Sequence, residues 1–137
     1  MTEIVFPNEL ALSSDPIDAV ALALFAAASG DHNPLHLDAD VARAAGFDRP
    51  VVHGMLTMAC VARLFTRQFG AGCIRSLETR FTGAAMRGDT LLISASRVGV
   101  EDGVARYDLH ARTTAGVELV TGHASIAAPA TPRQAAA

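Results

Sequence analysis

The segment from Met55 to about Phe69 is apolar on nearly every side of the helix that its pattern predicts. Only Arg63 and Arg67, one turn apart, mark a polar edge. A helix that is apolar nearly all round is stable in water only where other elements cover it. The rest of the chain is therefore expected to fold around this central helix.

The residues that follow this helix are predicted to supply its cover. Gly70 to Gly72 interrupts the helical pattern, and four strand-like runs follow, separated by turn signals. Because the connections are short, these strands are expected to pair as hairpins in an antiparallel sheet. The order of elements predicts the α+β class, a curved sheet wrapped around a helix, although periodicity alone equally allows other folds with one helix on a sheet. The predicted strands are Cys73–Phe81, Thr90–Val100, Val104–Thr113 and Val117–Ala127.

The first part of the chain is predicted to form shorter elements. Two apolar pieces have the character of edge strands. A capping serine with proline in the following turn predicts the start of a helix, in which apolar residues then recur at helical spacing. A second, shorter helix is predicted to end before a glycine. These elements are strands at Ile4–Phe6 and Leu10–Leu12, a helix at Ile17–Ala28 after Ser14-Asp15-Pro16, and a helix at Asp38–Ala45 before Gly46.

The connection between these two helices carries an acid and an imidazole, Asp31 and His36, with the amide of Asn33 between them. Gly30 and Pro34 break regular structure there, so the connection is short and stiff. Two proton-handling groups on such a connection are placed to hold a water molecule between them. The same residue types also occur in ordinary turns and helix caps, so the residues alone leave both interpretations open.

Length and charge exclude several classes of protein. The 137 residues fit one domain, predicted to span residues 1–128 with a flexible tail over 129–137. The net charge of −3 and the lack of a basic run argue against a nucleic-acid partner. No apolar run approaches the roughly 20 residues needed to cross a bilayer, so no membrane partner is expected.

The cysteines and the N-terminus indicate the compartment. Cys60 and Cys73 lie in apolar surroundings without metal-site spacing, which favours reduced, buried thiols over a disulfide or a metal site. No basic segment followed by an apolar run is visible at the N-terminus, so no secretory signal is predicted. The protein is expected to be soluble and cytoplasmic.

Two motifs together indicate a family. The run from Phe25 to Asp38 contains S-G-D-x-N-P-x-H, and Val52–Leu56 contains H-G-M. In this order and spacing they resemble the MaoC-like (R)-specific enoyl-CoA hydratases and 3-hydroxyacyl dehydratases. The resemblance is strongest over residues 25–58 and continues more weakly through Arg80-Phe81 and Gly88–Leu91. It implies a single hot-dog domain, the curved sheet wrapping the central helix at about residues 55–69.

The resemblance also implies an activity, a lyase reaction in fatty acid metabolism: reversible syn addition of water to a trans-2-enoyl thioester, giving an (R)-3-hydroxyacyl thioester. The water-activating acid and imidazole of the family fall on Asp31 and His36, the amide position on Asn33, and the backbone oxyanion donor on the N–H of Gly54. Members of the family are typically homodimers that act on thioesters of CoA or acyl carrier protein. Because the thioester itself activates the double bond, no metal or redox cofactor is expected.

A second set of residues is predicted to contact the substrate: Pro34, His53, Met55, Leu56 and Ala62. Of these, His53 is more typical of a residue that shapes the start of the helix, and Met55 is first of all a core residue. An ungapped count places Ala62 where some bacterial members carry a serine, a departure that concerns the hydrogen-bond network more than the reaction class. Three alternatives remain open: a carrier-protein-linked 3-hydroxyacyl dehydratase of fatty-acid synthesis, a hot-dog acyl-CoA thioesterase, and a non-catalytic acyl-thioester-binding subunit.

Overall fold

A computed structural model describes residues 4–129, which form one five-stranded antiparallel sheet and three α-helices. The strands lie side by side in the order β1-β3-β4-β5-β2, so β1 and β2 are the edges. The curved sheet and the long helix α3 confirm the predicted α+β hot-dog architecture. The elements are β1 Glu9–Ser13, α1 Ala19–Ser29, α2 Ala39–Ala44, α3 Gly54–Phe69, β2 Ile74–Phe81, β3 Leu91–Glu101, β4 Val104–Thr113 and β5 Glu118–Ala127, with a 3₁₀ turn at Pro34–His36.

The core lies between α3 and the inner face of the sheet. Buried and exposed residues alternate along β4, which is the period of a strand that is covered on one face. Val61, Leu64 and Phe65 form the buried side of α3, and the rings of Phe65 and Tyr107 lie 5.6 Å apart. Full burial of each such side chain is worth about 1.5–3 kcal/mol. The helix is not covered all round as predicted: Met55, which the sequence placed first of all in the core, is 58 % exposed.

The N-terminal elements differ from the prediction in two places. Ile4–Phe6 is not a strand; the ring of Phe6 instead packs 5.5 Å from Phe69. The first helix begins at Ala19 and not directly after the Ser14-Asp15-Pro16 sequence, because the N–H and the hydroxyl of Ser14 both form hydrogen bonds with the backbone of Leu91 on β3. These sheet contacts outweigh the local helix signal, and the helix N-cap is Asp18.

The remaining elements agree with the prediction to within one or two residues at each end, the edge strand near Leu10–Leu12 included. Both cysteines are free; Cys73 is buried as predicted, whereas Cys60 is half-buried, and burial raises the pKa of both thiols. No helix within residues 4–129 is long and apolar enough to cross a membrane. The predicted domain limits stay a prediction, since residues 1–3 and 130–137, most of the predicted tail, lie outside the described residues.

The pairing of β5 with β2 depends on a glycine. A Cβ added at Gly122 would overlap the backbone oxygen of Glu78 on β2, whereas a Cβ at Gly99 on β3 has nothing within 4 Å. We therefore expect Gly122→Ala to lower the free energy of unfolding by about 1–3 kcal/mol or more, as overpacking does. The matched variant Gly99→Ala should change it by less than about 0.5 kcal/mol. Urea denaturation of both variants measures this, and equal effects would contradict the close approach.

Candidate active site

The connection after α1 is ordered by its own polar groups. Gly30 ends the helix with φ of 77° and its N–H donates to Ala26 O, a left-handed conformation that favours glycine. The N–H of Asn33 then donates to Asp31 Oδ1 at 3.3 Å, and Asn33 Oδ1 accepts from the N–H of Leu35 at 3.2 Å. These two bonds fix the Asp31 carboxylate and begin the 3₁₀ turn.

The 3₁₀ turn presents His36 to the core side of the connection, where the residue is 8 % exposed. Its Nδ1 lies 2.6 Å from the carbonyl oxygen of Val51, and the N–H of Val51 donates to Leu35 O at 3.0 Å. Because a carbonyl only accepts, Nδ1 carries the hydrogen. In the neutral ring, Nε2 is therefore left as an acceptor.

Nε2 of His36 faces the carboxylate of Asp31, whose Oδ2 lies 3.5 Å away. This separation exceeds that of a strong direct hydrogen bond. With a neutral ring, both atoms are acceptors, and one water molecule can donate a hydrogen to each. Since the Asp31 side chain is 51 % exposed, the pair is open to a water and a substrate.

Helix α3 begins beside this pair at Gly54. The preceding residue, His53, is the N-cap, yet its side chain makes no capping bond. Within residues 4–129 the N–H of Gly54 has no acceptor, as expected for the first turn of a helix. It lies at the positive end of the helix dipole. The ring of Phe81, from the end of β2, lies 3.4 Å from where a Cβ of Gly54 would stand.

His53 connects the two halves of the site. Its ring is 1 % exposed and stacks on His36, with ring centroids 3.8 Å apart and planes inclined by 18°. Its Nε2 lies 3.2 Å from the backbone oxygen of Asp31, and the Phe25 ring meets it edge-on at 4.9 Å. Burial lowers the pKa of His53 and the neighbouring His36 lowers it further, although the bond to Asp31 acts in the opposite direction.

Comparison with known proteins identifies the family of this chain. The family model of the MaoC like domain matches residues 4–118. This chain belongs to the MaoC-like domain family. The (R)-specific enoyl-CoA hydratase of Aeromonas caviae is 33 % identical to it over 115 residues, covering 81 % of this chain and 86 % of the relative. The predicted family is thereby confirmed.

Two solved structures share the fold of this MaoC-like protein. The (R)-hydratase from A. caviae involved in PHA biosynthesis superposes with a TM-score of 0.83 at 29 % identity, covering 94 % of this chain and all of the other. A chain of the ChsH1–ChsH2 complex from Mycobacterium tuberculosis gives 0.80 at 25 % identity, covering 92 % and 99 %. The chain spans 8 %, 34 % and 12 % of the length of three longer curated relatives, from yeast, M. tuberculosis and mouse.

The donor atoms of Asp31, His36 and His53 all lie within 4.8 Å of one another, which raises the question of a metal ion. An imidazole binds a metal in the plane of its ring, with nitrogen about 2.0–2.1 Å from the ion. The two rings are stacked nearly parallel, so their in-plane lone pairs run side by side and do not converge on one point. The arrangement fits a hydrogen-bonded cluster better than a metal site.

The structure brings Asp31, His36, His53 and Gly54 together, but not every residue predicted for the site. The side-chain oxygen of Asn33 caps the 3₁₀ turn, and no hydrogen bond joins the side chains of Asn33 and His36 among the described residues. Ala62 lies two turns along α3 from Gly54, about 12 Å at the helical rise. Pro34 and Met55 are exposed and Leu56 is half-buried, next to these groups in sequence.

The sequence does not predict three contacts of the site: the carbonyl of Val51, the ring of Phe25 and the ring of Phe81. A backbone carbonyl carries no sequence signal. In the sequence, Phe25 is recognisable only as an apolar helix position at the start of the family resemblance, and Phe81 only as part of the weaker resemblance. All three act through the packing of segments that are distant in the chain.

The lowered pKa of His53 predicts a pH-dependent stability. Below the ordinary histidine pKa of about 6.5, the unfolded chain takes up a proton at His53 that the folded protein does not. Stability is therefore lost as the pH falls through this value, by at most about 1.4 kcal/mol per pH unit from one group. Urea denaturation measures the free energy of unfolding of wild type and of His53→Gln. The difference between the two should narrow from pH 8 to about pH 5. A gap that does not change with pH would contradict the neutral, buried ring.

Proposed function

We propose that this MaoC-like protein is an enzyme that reversibly hydrates trans-2-enoyl-CoA to (R)-3-hydroxyacyl-CoA. The observation that carries the proposal is the 3.5 Å separation of Asp31 Oδ2 and His36 Nε2, beside the helix that starts at Gly54. The names of the similar A. caviae protein and structure support the same activity.

In this proposal Asp31 and His36 act as one unit on a single water. The water donates one hydrogen to Oδ2 and the other to Nε2, which aims its oxygen lone pair at Cβ of the enoyl group. As the C–O bond forms, the pair takes one proton from the water, and the electrons of the double bond move to the thioester oxygen. The same pair then returns that proton to Cα, so the hydroxyl and the hydrogen join one face of the substrate.

The developing charge on the thioester oxygen requires a donor that is free before the reaction. We assign this role to the N–H of Gly54, which has no other acceptor within residues 4–129 and lies at the positive end of α3. A preorganised donor of this kind is worth about 3–4 kcal/mol in the barrier. The proposed reaction needs no metal or redox cofactor, since the thioester activates its own double bond.

The remaining predicted residues receive smaller roles in this proposal. Asn33 holds the carboxylate through its N–H to Asp31 Oδ1 and orders the turn through its side chain. Met55, Leu56 and Pro34 border the thioester. Ala62 lines the acyl group further along α3 and offers it no hydroxyl.

We further propose that the working unit is a cytoplasmic homodimer. Met55 and Phe81 are 58 % and 47 % exposed beside Gly54, and β2 is an edge strand of the sheet. A second copy that pairs along β2 would cover this apolar surface and close one side of the site. The mass of the protein in solution, measured by light scattering, should be twice that of the chain; a monomer with full activity would contradict this proposal.

The test of the function is a set of parallel assays on the purified, folded protein. Crotonyl-CoA and longer enoyl-CoAs should lose their enoyl absorbance and yield the (R)-3-hydroxyacyl product without release of free thiol. Faster turnover of the matching acyl-carrier-protein thioesters would make it a carrier-protein dehydratase. Release of free CoA would indicate a thioesterase, and binding without any turnover a non-catalytic subunit.

A further inference from the structure

We propose that His53 is a positioning residue, a permanently neutral imidazole that holds the backbone of Asp31 and the ring of His36 in their reactive arrangement. The proposal rests on the function proposed above and concerns the same site. It goes beyond both interpretations of His53 from the sequence, a substrate contact and a residue that shapes the start of the helix.

The hydrogen bond to Asp31 determines the tautomer of His53. Its acceptor is the backbone oxygen of Asp31, 3.2 Å from Nε2, so Nε2 carries the hydrogen. A neutral imidazole has one N–H, and Nδ1 is therefore bare. Nδ1 is buried and has no hydrogen-bond partner among residues 4–129. A second proton there would leave an unpaired charged N–H in the interior, which is strongly unfavourable.

The stacking of the two rings explains why a neutral His53 favours the reaction. His36 lies face to face with His53, with centroids 3.8 Å apart, and His36 becomes positively charged whenever it takes the proton of the water. The face of a neutral aromatic ring attracts a cation, whereas a second imidazolium would repel it. The charged or titrating groups that face His53 are Asp31 and His36 alone among its described contacts.

One side chain thus contacts both reacting groups. It fixes the backbone of Asp31 by a hydrogen bond and the ring of His36 by stacking, and it is itself packed by Phe25. Its own carbonyl accepts the first hydrogen bonds of α3, from Leu56 and Thr57, so its position also orients the N–H of the next residue, Gly54. A displacement of His53 therefore alters the proton-transfer pair and the oxyanion donor together.

Two variants separate the two contacts. His53→Gln keeps an N–H donor for Asp31 but loses the ring, and His53→Phe keeps the ring but loses the donor. Each should lower kcat about 10- to 100-fold with KM changed less than about twofold, since misplaced groups lose rate and not substrate affinity. Each should also displace a limb of the pH profile of kcat/KM. The control is His123→Gln, which replaces an exposed histidine on β5. It should match wild type in kcat, in KM and in the pH profile of kcat/KM.

Two kinetic results would overturn the proposal. A raised KM with unchanged kcat would make His53 a substrate contact, and a pH profile that stays in place while kcat falls would reduce it to a structural residue.

A measurement on the unmutated protein keeps the proposal testable if the variants fold poorly. In NMR of the ¹³C,¹⁵N-labelled wild-type protein, sequential backbone assignment identifies the ring nitrogens of His53 without a variant. They should show the Nε2–H neutral form throughout about pH 5.5 to 8. A ring that titrates in this range, or one protonated on Nδ1, would overturn the proposal. Because this measurement needs no turnover, failure of the proposed hydratase function and failure of the positioning role are separately visible.

Discussion

Asp31→Asn and His36→Gln should each lower kcat for enoyl-CoA hydration by about 10²- to 10⁴-fold, the range of general acid–base catalysis. The first substitution puts an amide where the water needs a proton acceptor, and the second removes the ring nitrogen that faces Asp31 Oδ2 at 3.5 Å. Because the two groups act on one water, the double variant should be little slower than the slower single variant. Single-turnover rates with crotonyl-CoA measure all three.

The chain offers a matched control for this prediction. A second carboxylate–imidazole pair, Asp108 and His123, joins β4 to β5 at 2.9 Å, with both side chains exposed. Asp108→Asn and His123→Gln remove the same functional groups from the outer face of the sheet and should leave kcat within about twofold, as surface substitutions do. The proposed mechanism is wrong if Asp108→Asn and His123→Gln lower kcat as much as Asp31→Asn and His36→Gln do. It is also wrong if the effects of Asp31→Asn and His36→Gln multiply in the double variant.

Gly54→Pro should lower kcat by about 10²- to 10³-fold, the cost of one oxyanion donor. Proline removes the N–H without breaking α3, because Gly54 is the first residue of the helix, a position that proline favours. The preceding residue, His53, already has φ of −55° and ψ of 134°, the extended region that residues before proline adopt. The loss is therefore expected in turnover, with the thermal stability of the helix retained.

Gly54→Ala is the control, because it adds a Cβ and keeps the N–H. The added carbon would lie 3.4 Å from the exposed ring of Phe81, which must yield by a few tenths of an ångström. Its kcat should stay within about tenfold of wild type. If the two variants lose activity equally, the cause is the added carbon and not the N–H, and the oxyanion role of Gly54 is wrong.

The sheet and the central helix were predictable because their periodicities agree with the tertiary packing. The alternation in β4 corresponds to a single buried face. The apolar composition of α3 predicted a helix packed in the core, although only part of its apolar surface is buried in the chain. The start of α1 was misplaced because a local helix signal at Ser14 competes with hydrogen bonds to the backbone of Leu91, which is distant in the sequence. Such long-range hydrogen bonds leave no mark in the pattern around Ser14.

The reactive groups of the site were predictable from the sequence, but the contacts that hold them in place were not. Asp31, His36 and Gly54 carry recognisable motifs, and the structure brings them together. The ring of His36 is held by a hydrogen bond to the backbone carbonyl of Val51. Every residue has such a carbonyl, so the residue type at position 51 does not reveal this contact. His53 lies in a motif, but its burial and its stacking on His36 follow from the meeting of two segments, which residue types alone do not specify.

In the proposed reaction, one water held by Asp31 and His36 supplies both the hydroxyl and the hydrogen to one face of an enoyl thioester. The most direct measurement is hydration of crotonyl-CoA in deuterium oxide, with the product analysed by NMR and chiral chromatography. We expect (R)-3-hydroxybutyryl-CoA with a single deuterium at Cα on the same face as the new hydroxyl. An (S) product, anti addition, or free CoA in place of the hydroxyacyl thioester would contradict the proposed reaction.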